Sequence, residues 1–324
     1  MKRTRSVAAF LSAGALLLPA VVFAQGTASY PEKPVRIISA LSTGGAVDTV
    51  GRIVATKLSE NMRRQFIVEN RLGGGGTIGY AYVAKAPPDG YTLLVAGSGY
   101  TIAPALYSIP FDPLKDIIPL SQTSTSGYLL VVHPSLPTKS VNDLVTLAKA
   151  RPGALNFGSG GVGSSVHFAT EMFAQAAAIK LTHIAYKGSG QALIDLISGQ
   201  LQLVMSNSIS SLPYVKSGRL RVLGVSSAQR SVAFPDIPTI AESGVPGFSL
   251  SVWTGLFGPG GMPVDIVTKL NAEIVKALKD PDVARKMAED GGEPIESLEQ
   301  FRQTIKNELE TNRKIARRAD INVE

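Results

Sequence analysis

The sequence contains no cysteine, which removes disulfides, thiolate nucleophiles and Cys-ligated metals at once. A lipid anchor on an N-terminal cysteine is excluded for the same reason. Histidine is scarce, with three copies. His133 precedes Pro134, His183 lies inside "LTHIAY", and only His167, in "SSVHFA", stands beside a glycine-rich turn. It is the one histidine with a reason to approach a ligand, and otherwise packs or caps. No G-x-S-x-G elbow, H-E-x-x-H pair or G-x-x-x-x-G-K-[ST] loop occurs, so no catalytic residue, metal ligand or cofactor is assigned. After the N-terminal segment no apolar run approaches the ~18 residues that span a bilayer. The net charge is +7, yet clustered Lys/Arg interleaved with aromatics is missing, which argues against a nucleic-acid partner. "RKIARRAD" near the C-terminus is the one basic cluster and reads as a solvated helix face. A mild positive excess favours small anionic solutes.

What is present begins with "MKRTRSVAAFLSAGALLLPAVVFAQG". Lys2, Arg3 and Arg5 precede an apolar stretch that ends in small residues, the pattern of a secretory signal peptide over residues 1–24, cleaved after Ala24. An exported chain without disulfides or an anchor suits the bacterial periplasm.

The chain has 324 residues, more than one hydrophobic core usually serves, so two lobes are expected. Apolar β-branched runs such as "VRIISAL", "QFIVENR" and "TLLVAGS" alternate with helical patterns. Val47, Val50, Val54 and Leu58 recur at helical spacing. Such alternation predicts an α/β fold with parallel sheets. A second series runs from "YLLVVHP" to "RVLGVSS". "IIPLSQTSTSG" and "RVLGVSS" are candidates for strands that cross between lobes. From "FSLSVWTGLFGPGGMP" onward the pattern predicts C-terminal helices that pack back on the first lobe.

Small-residue turns recur where strands end. "STGGAVD" holds Thr43, Gly44, Gly45 and Asp48; "GGGGTIG" spans residues 73–79; "GSGYT" holds Ser98 and Thr101. "FGSGGVGSSVH" holds Gly160, Gly161, Ser164 and Ser165, and "YKGSGQ" holds Lys187. In α/β sheets such turns line one crevice, and each helix N-terminus there offers free N–H groups and a partial positive charge. Three or four charged hydrogen bonds, at about 1.5–3 kcal/mol each, account for micromolar binding of a small anion such as a carboxylate. Ordinary turn chemistry and helix capping explain any one of these loops equally well. Asn207 ends "LQLVMSN" and faces the same crevice if that run is a parallel strand. Asp48 suits a helix's first turn with or without a ligand, Asp195 reads as a bracing acid, and Trp253 reads as core or cleft wall.

Gly158, Gly160 and Gly163 fit the G-x-G-x-x-G spacing of dinucleotide sites. That site needs an acidic residue about 20 positions on for the ribose hydroxyl. Lys187 stands where it belongs. The cradle lacks its ribose reader, which leaves a nucleotide-dependent oxidoreductase as a lesser alternative.

Ordered over nearly the whole mature chain stand "YPEKPVRII", "GGAVDTVGRIVA", "VENRLGGGGTIG", "PPDGYTLL", "NFGSGGVGSSVHFATEMF", "AYKGSGQALIDLISGQ" and "GVPGF" followed by "WTGLFGPGGMP". On these motifs the sequence resembles the Bug (TctC-type) extracytoplasmic solute receptors of tripartite tricarboxylate transport systems. The resemblance implies a type II periplasmic binding protein fold: two α/β lobes joined by two crossover strands, residues 25–122 with 226–324 and residues 123–225. It implies that a ligand carboxylate is gripped by residues 43–48 of one lobe and 160–165 of the other, with Ser98–Thr101 and the "YKG" turn as walls. It implies a monomer that delivers its solute to membrane permease subunits. A sensory receptor acting on a signalling protein is the alternative within that frame. The family usually carries an aromatic residue and a proline in the first loop, where this chain has Ala40 and Leu41. An Asp common after the late strand is replaced by Asn207.

Overall fold

Strand β1 (Val35–Ser39) is buried at every residue but Arg36, and the chain turns through glycine into helix α1 (Ala46–Met62). Val50, Val54 and Leu58 form the buried stripe of α1 that their spacing predicts. Gly51 allows this helix to lie flush on its sheet, since a Cβ there would sit 2.9 Å from Val95. The computed structural model describes residues 29–41, 43–186, 188–288 and 297–318. The expected signal peptide, Ser42 and Lys187 lie outside the described residues. Both sheets belong to the unit Pro31–Glu324.

The first sheet continues with β2 (Phe66–Asn70), a 3-10 turn at Gly74–Gly76, α2 (Thr77–Ala84), β3 (Thr92–Gly97), α3 (Gly99–Leu106) and β4 (Ile117–Ser126). The second sheet is built from β5 (Leu129–Val132), α4 (Val141–Ala150), β6 (Asn156–Ser159), α5 (Ser165–Ala176) and β7 (Thr182–Ala185), then α6 (Ser189–Ile197), β8 (Leu203–Ser206), α7 (Ser208–Lys216) and β9 (Arg221–Val225). The chain then returns with β10 (Val252–Pro259), followed by α8 (Val264–Leu278), α9 (Pro281–Ala288) and α10 (Leu298–Arg318). Helix α8 packs on α1 and β4, and α10 on α3 and β4. No helix among the described residues is long and apolar enough to cross a membrane.

Strand orders are β2-β1-β3-β10-β4 and β7-β6-β8-β5-β9. Strands β1, β2 and β3 pair in parallel, as do β6, β7 and β8. The purely parallel expectation is corrected at two strands. β10 runs antiparallel to β3 and β4, and β5 antiparallel to β8 and β9. Both enter their sheets from a connection between sheets, not from a βαβ crossover, so nothing enforces a parallel sense. β10 also corrects the reading of "VWTGLFGP" as a lead-in to helices. Seven of its eight residues are buried, and a strand buried on both faces carries no alternation to reveal it.

The two connections between sheets are laced together. The outgoing chain changes sheet at Gly127–Tyr128, and the return leaves β9 at Ser226. Tyr128 N donates to Ser226 Oγ at 2.8 Å, and Ser226 Oγ donates to Leu250 O at 2.7 Å. Ser226 N donates to Tyr128 O at 2.8 Å, and Leu250 N to Ser226 O at 2.7 Å. A Cβ at Gly127 would meet Val225 at 2.6 Å, so glycine is what lets the two crossings touch.

Candidate ligand site

In each sheet a first strand is flanked by the next two of its own series: β1 by β2 and β3, β6 by β7 and β8. That is the topological switch point at which α/β sheets open a crevice beyond the strand ends. The turns at residues 43–48 and 160–165 follow these two switch strands.

The first turn is held by Asp48. This carboxylate is 1% exposed. Its Oδ2 accepts from Gly44 N at 3.0 Å and Arg52 Nε at 2.9 Å, and its Oδ1 from Arg52 Nη2 at 3.2 Å and Asn70 Nδ2 at 2.8 Å. Burial alone would raise the Asp48 carboxyl, but the hydrogen bonds from Arg52, Gly44 and Asn70, with the Arg52 charge, outweigh it and hold it below the usual range. Asn70 at the end of β2 ties the rest. Its Nδ2 also donates to Leu41 O at 2.9 Å, and its Oδ1 accepts from Arg52 Nη2 at 3.0 Å and Thr43 Oγ1 at 3.1 Å. Thr43 and Gly44 are exposed, and Gly44 has φ +78° with open space where a Cβ would stand.

Ser98 and Thr101 face inward. Ser98 Oγ accepts from Trp253 N at 2.9 Å. Thr101 is 0% exposed. Its Oγ1 lies 2.9 Å from Ser98 O and 2.7 Å from Glu308 Oε2, and accepts from Asn312 Nδ2 at 3.1 Å. Glu308 also accepts from Trp253 Nε1 at 2.9 Å. Burial raises the Glu308 carboxyl against the pull of these bonds. Thr101 therefore joins α3 to α10.

The second turn rests on two histidines. Gly163 N donates to His167 Nδ1 at 3.0 Å, which leaves the proton of the neutral ring on Nε2. His183 Nε2 lies 2.6 Å from Ser159 Oγ, which also accepts from Gly161 N at 3.1 Å. The two imidazoles stack 3.8 Å apart at 8°, with Phe157 against His183 at 4.8 Å. Gly161 and Gly163 take φ +119° and +74°. Gly158 is fixed by packing, since its Cβ would meet Leu201 at 2.5 Å and Ala192 at 2.8 Å. Ser164 caps α5 by accepting from His167 N, and Ser165 Oγ lies 2.9 Å from Tyr128 Oη. Gly160 abuts Ser189, whose helix follows residue 187. Tyr186 Oη donates to Asp195 at 2.7 Å, the bracing role read for that acid. Asn207 precedes α7 after β8, and its side chain does not cap that helix.

The turns of the two sheets also meet. Tyr107 Oη donates to Val162 O at 3.4 Å, and the Tyr107 ring occupies the space 2.9 Å from where a Cβ on Gly75 would stand. Ile102 of α3, Phe168 of α5 and Ala316 of α10 share one apolar cluster. Two surface cavities of about 430 and 610 Å³ lie along α10 and residues 104–119, and no glycine-turn residue lines either.

His167 yields a pH prediction. Burial first, and the His183 charge second, lower it from 6.5 to about 4. Glu171 Oε1, 3.8 Å from its Nε2, is itself raised by burial. Below 6.5 the unfolded chain takes up a proton that the folded one refuses until about 4. Stability therefore falls across that interval, by about 3 kcal/mol in full. His167→Gln flattens the dependence of denaturation midpoint on pH between 4 and 6.5; an equally steep curve contradicts the assignment.

Sequence reasoning missed Asn70, His183 and Glu308 as supports. Arg52 was legible as the i+4 partner of Asp48; the others act across 22 to 207 residues of chain.

Two mixed sheets, the two crossings between them and a glycine turn after each switch strand define a two-lobe solute-binding protein. A model of the tripartite tricarboxylate transporter family receptor matches residues 50–321, beginning just after the first turn. Protein BugT of Bordetella pertussis is 36% identical over 286 residues, covering 87% of this chain and 88% of that protein. Rpa4515 of R. palustris, solved with adipate, superposes with a TM-score of 0.84 at 34% identity, covering 90% of this chain and 99% of that one. MatC of Rhodopseudomonas palustris with bound malate gives 0.81 at 28% identity, covering 88% and 99%. The chain belongs to the tripartite tricarboxylate transporter receptor family. It is a periplasmic solute receptor.

Proposed function

We propose that this receptor captures the carboxylate of a small organic acid between residues 43–48 and 160–165 and passes it, unchanged, to the membrane permease subunits of a tripartite transporter. Thr43, Gly44, Gly45, Gly160, Gly161 and Ser164 line the two turns; the Gly44 and Gly161 N–H groups and the Thr43 hydroxyl are held by Asp48, Ser159 and Asn70, so the carboxylate shares or takes over these bonds on binding. Ser165 and Asn207 wall the crevice, while Ser98, expected as a wall but held inward by Trp253 N, acts with Asp48 and Thr101 from behind by fixing the turns. The lobes expected as residues 25–122 with 226–324 and residues 123–225, after removal of residues 1–24, are moved at one boundary, because β4 keeps residues 123–126 in the first sheet and the chain changes sheet at Gly127–Tyr128; the receptor works as a monomer. The observation that carries this reading is the placement of both turns directly after the switch strands. Adipate and malate on the two Rhodopseudomonas proteins support the ligand class. Closure follows from one ligand bridging both lobes, since only a preference for the closed state shifts that equilibrium.

A melting-temperature screen of refolded, ligand-free protein against mono-, di- and tricarboxylates tests this. One class of acid is expected to raise the melting temperature, by about 2–4 °C for each ~1 kcal/mol of binding stabilisation, and to be recovered intact. Conversion of the bound acid, or stabilisation by NAD(P) in its place, overturns the reading.

A further inference from the structure

Helix α5 carries two apolar faces. Val166, Ala169 and Phe173 pack into the core of the second sheet, which accounts for one buried stripe. Phe168 and Met172 stand one turn apart on another face. Phe168 is 1% exposed, yet it lies outside that core cluster. Its neighbours are Ile102 of α3 and Ala316 of α10, and both of those helices pack on the first sheet.

The two partner helices repeat the pattern. In α3, Tyr100 and Ala103 belong to the core of the first sheet, while Ile102 and the partly buried Leu106 join Phe168. In α10, Phe301, Ile305 and Leu309 fill that same core, and the helix runs on beyond them to bring Ala316 against Phe168. Each of the three helices thus keeps a second apolar face that its own sheet does not use, and the three faces cover one another. Parting the lobes would return that surface to water, at a cost in proportion to its area. The contact also sits where it controls the second turn. Phe168 N donates to Ser164 O at 2.9 Å, one turn into α5 and directly after residues 160–165. α3 reaches that turn as well, since Tyr107 follows its last residue and donates to Val162 O at 3.4 Å.

We infer that the second apolar faces of α3, α5 and α10 form a latch that holds the lobes together before any solute arrives, with Phe168 and Ile102 as the positioning residues that set the second turn against the first lobe. The latch goes beyond the carboxylate reading and does not depend on it, because its three buried side chains are hydrocarbon and take no part in holding a solute. A receptor built this way asks of its ligand only the remaining preference for the closed state, so the latch sets affinity without touching the solute. The two crossings at Gly127–Tyr128 and Ser226 are where the chain bends when the latch parts.

The test exploits the absence of cysteine. Ile78→Cys on α2 and Ile194→Cys on α6 place two spin labels on opposite lobes, at positions 56% and 63% exposed. Pulsed electron double resonance on the refolded, ligand-free mature protein reads their separation. In the labelled parent, the separation found in this structure is expected to be the majority population. Phe168→Ala and, separately, Ile102→Ala are expected to lower the ratio of closed to open molecules at least tenfold, with circular dichroism spectra like that of the parent. Ile102→Ala removes the smaller side chain and reads the latch from the other lobe, so it decides the matter should Phe168→Ala fail to fold. A distance distribution unchanged in Ile102→Ala, or a ligand-free parent that is mostly open, overturns the latch. Neither result bears on the carboxylate reading, whose own test is the screen of acids.

Discussion

Gly161→Val is expected to abolish ligand stabilisation while the unliganded protein still folds. Gly161 holds φ +119°, a conformation that a β-branched residue adopts only with strain of about 1–3 kcal/mol. A Cβ there would also lie 3.3 Å from Tyr186 O, tighter than an ordinary contact. The turn can relax by rotating its peptide planes, but that redirects the Gly161 N–H now held by Ser159 Oγ at 3.1 Å. The strain is small beside the ~5–15 kcal/mol that a domain has in reserve, whereas a carboxylate losing two charged hydrogen bonds forfeits about 3–6 kcal/mol. Affinity should fall at least a hundredfold by calorimetry, with a circular dichroism spectrum like that of wild type. Binding within threefold of wild type would show that the second turn does not touch the ligand.

Asn70→Ala should have the next largest effect, through the first turn. Removing the amide cuts its bonds to Leu41, Thr43, Asp48 and Arg52 together. Asp48 then keeps only Gly44 and Arg52 as partners, and the exposed half of the turn loses its register. A cost of about 1–3 kcal/mol to the unliganded fold is expected from the buried acceptor left short of a donor. Affinity should drop tenfold or more, because the ligand would have to order the turn itself. Asn70→Asp should not rescue, since it removes the Nδ2 donor and sets a second carboxylate against Asp48. Should Asn70→Ala lower the melting temperature but leave affinity intact, the turn is structural only.

These two variants show where the sequence was readable. Local pattern carried the α1 stripe, the strand and helix series, and the turns themselves, because helical spacing and glycine after a strand are written within a few residues. It did not carry β10, whose doubly buried "WTGLFGP" has no period. Nor did it carry the partners that fix the site. Asn70 reaches back to Leu41 across 29 residues, and Glu308 to Thr101 across 207. No spacing rule spans such distances. His183, inside an apparently ordinary strand, gains its role from stacking on His167.

The central claim is that donors from both lobes converge on one carboxylate. A crystal structure of the receptor loaded with the acid that stabilises it most tests this directly. One carboxylate is expected to lie within hydrogen-bond reach, directly or through a single water, of main-chain N–H groups from residues 43–48 and from residues 160–165 together. A carboxylate that contacts only one of these turns, or a ligand seated elsewhere, contradicts the account.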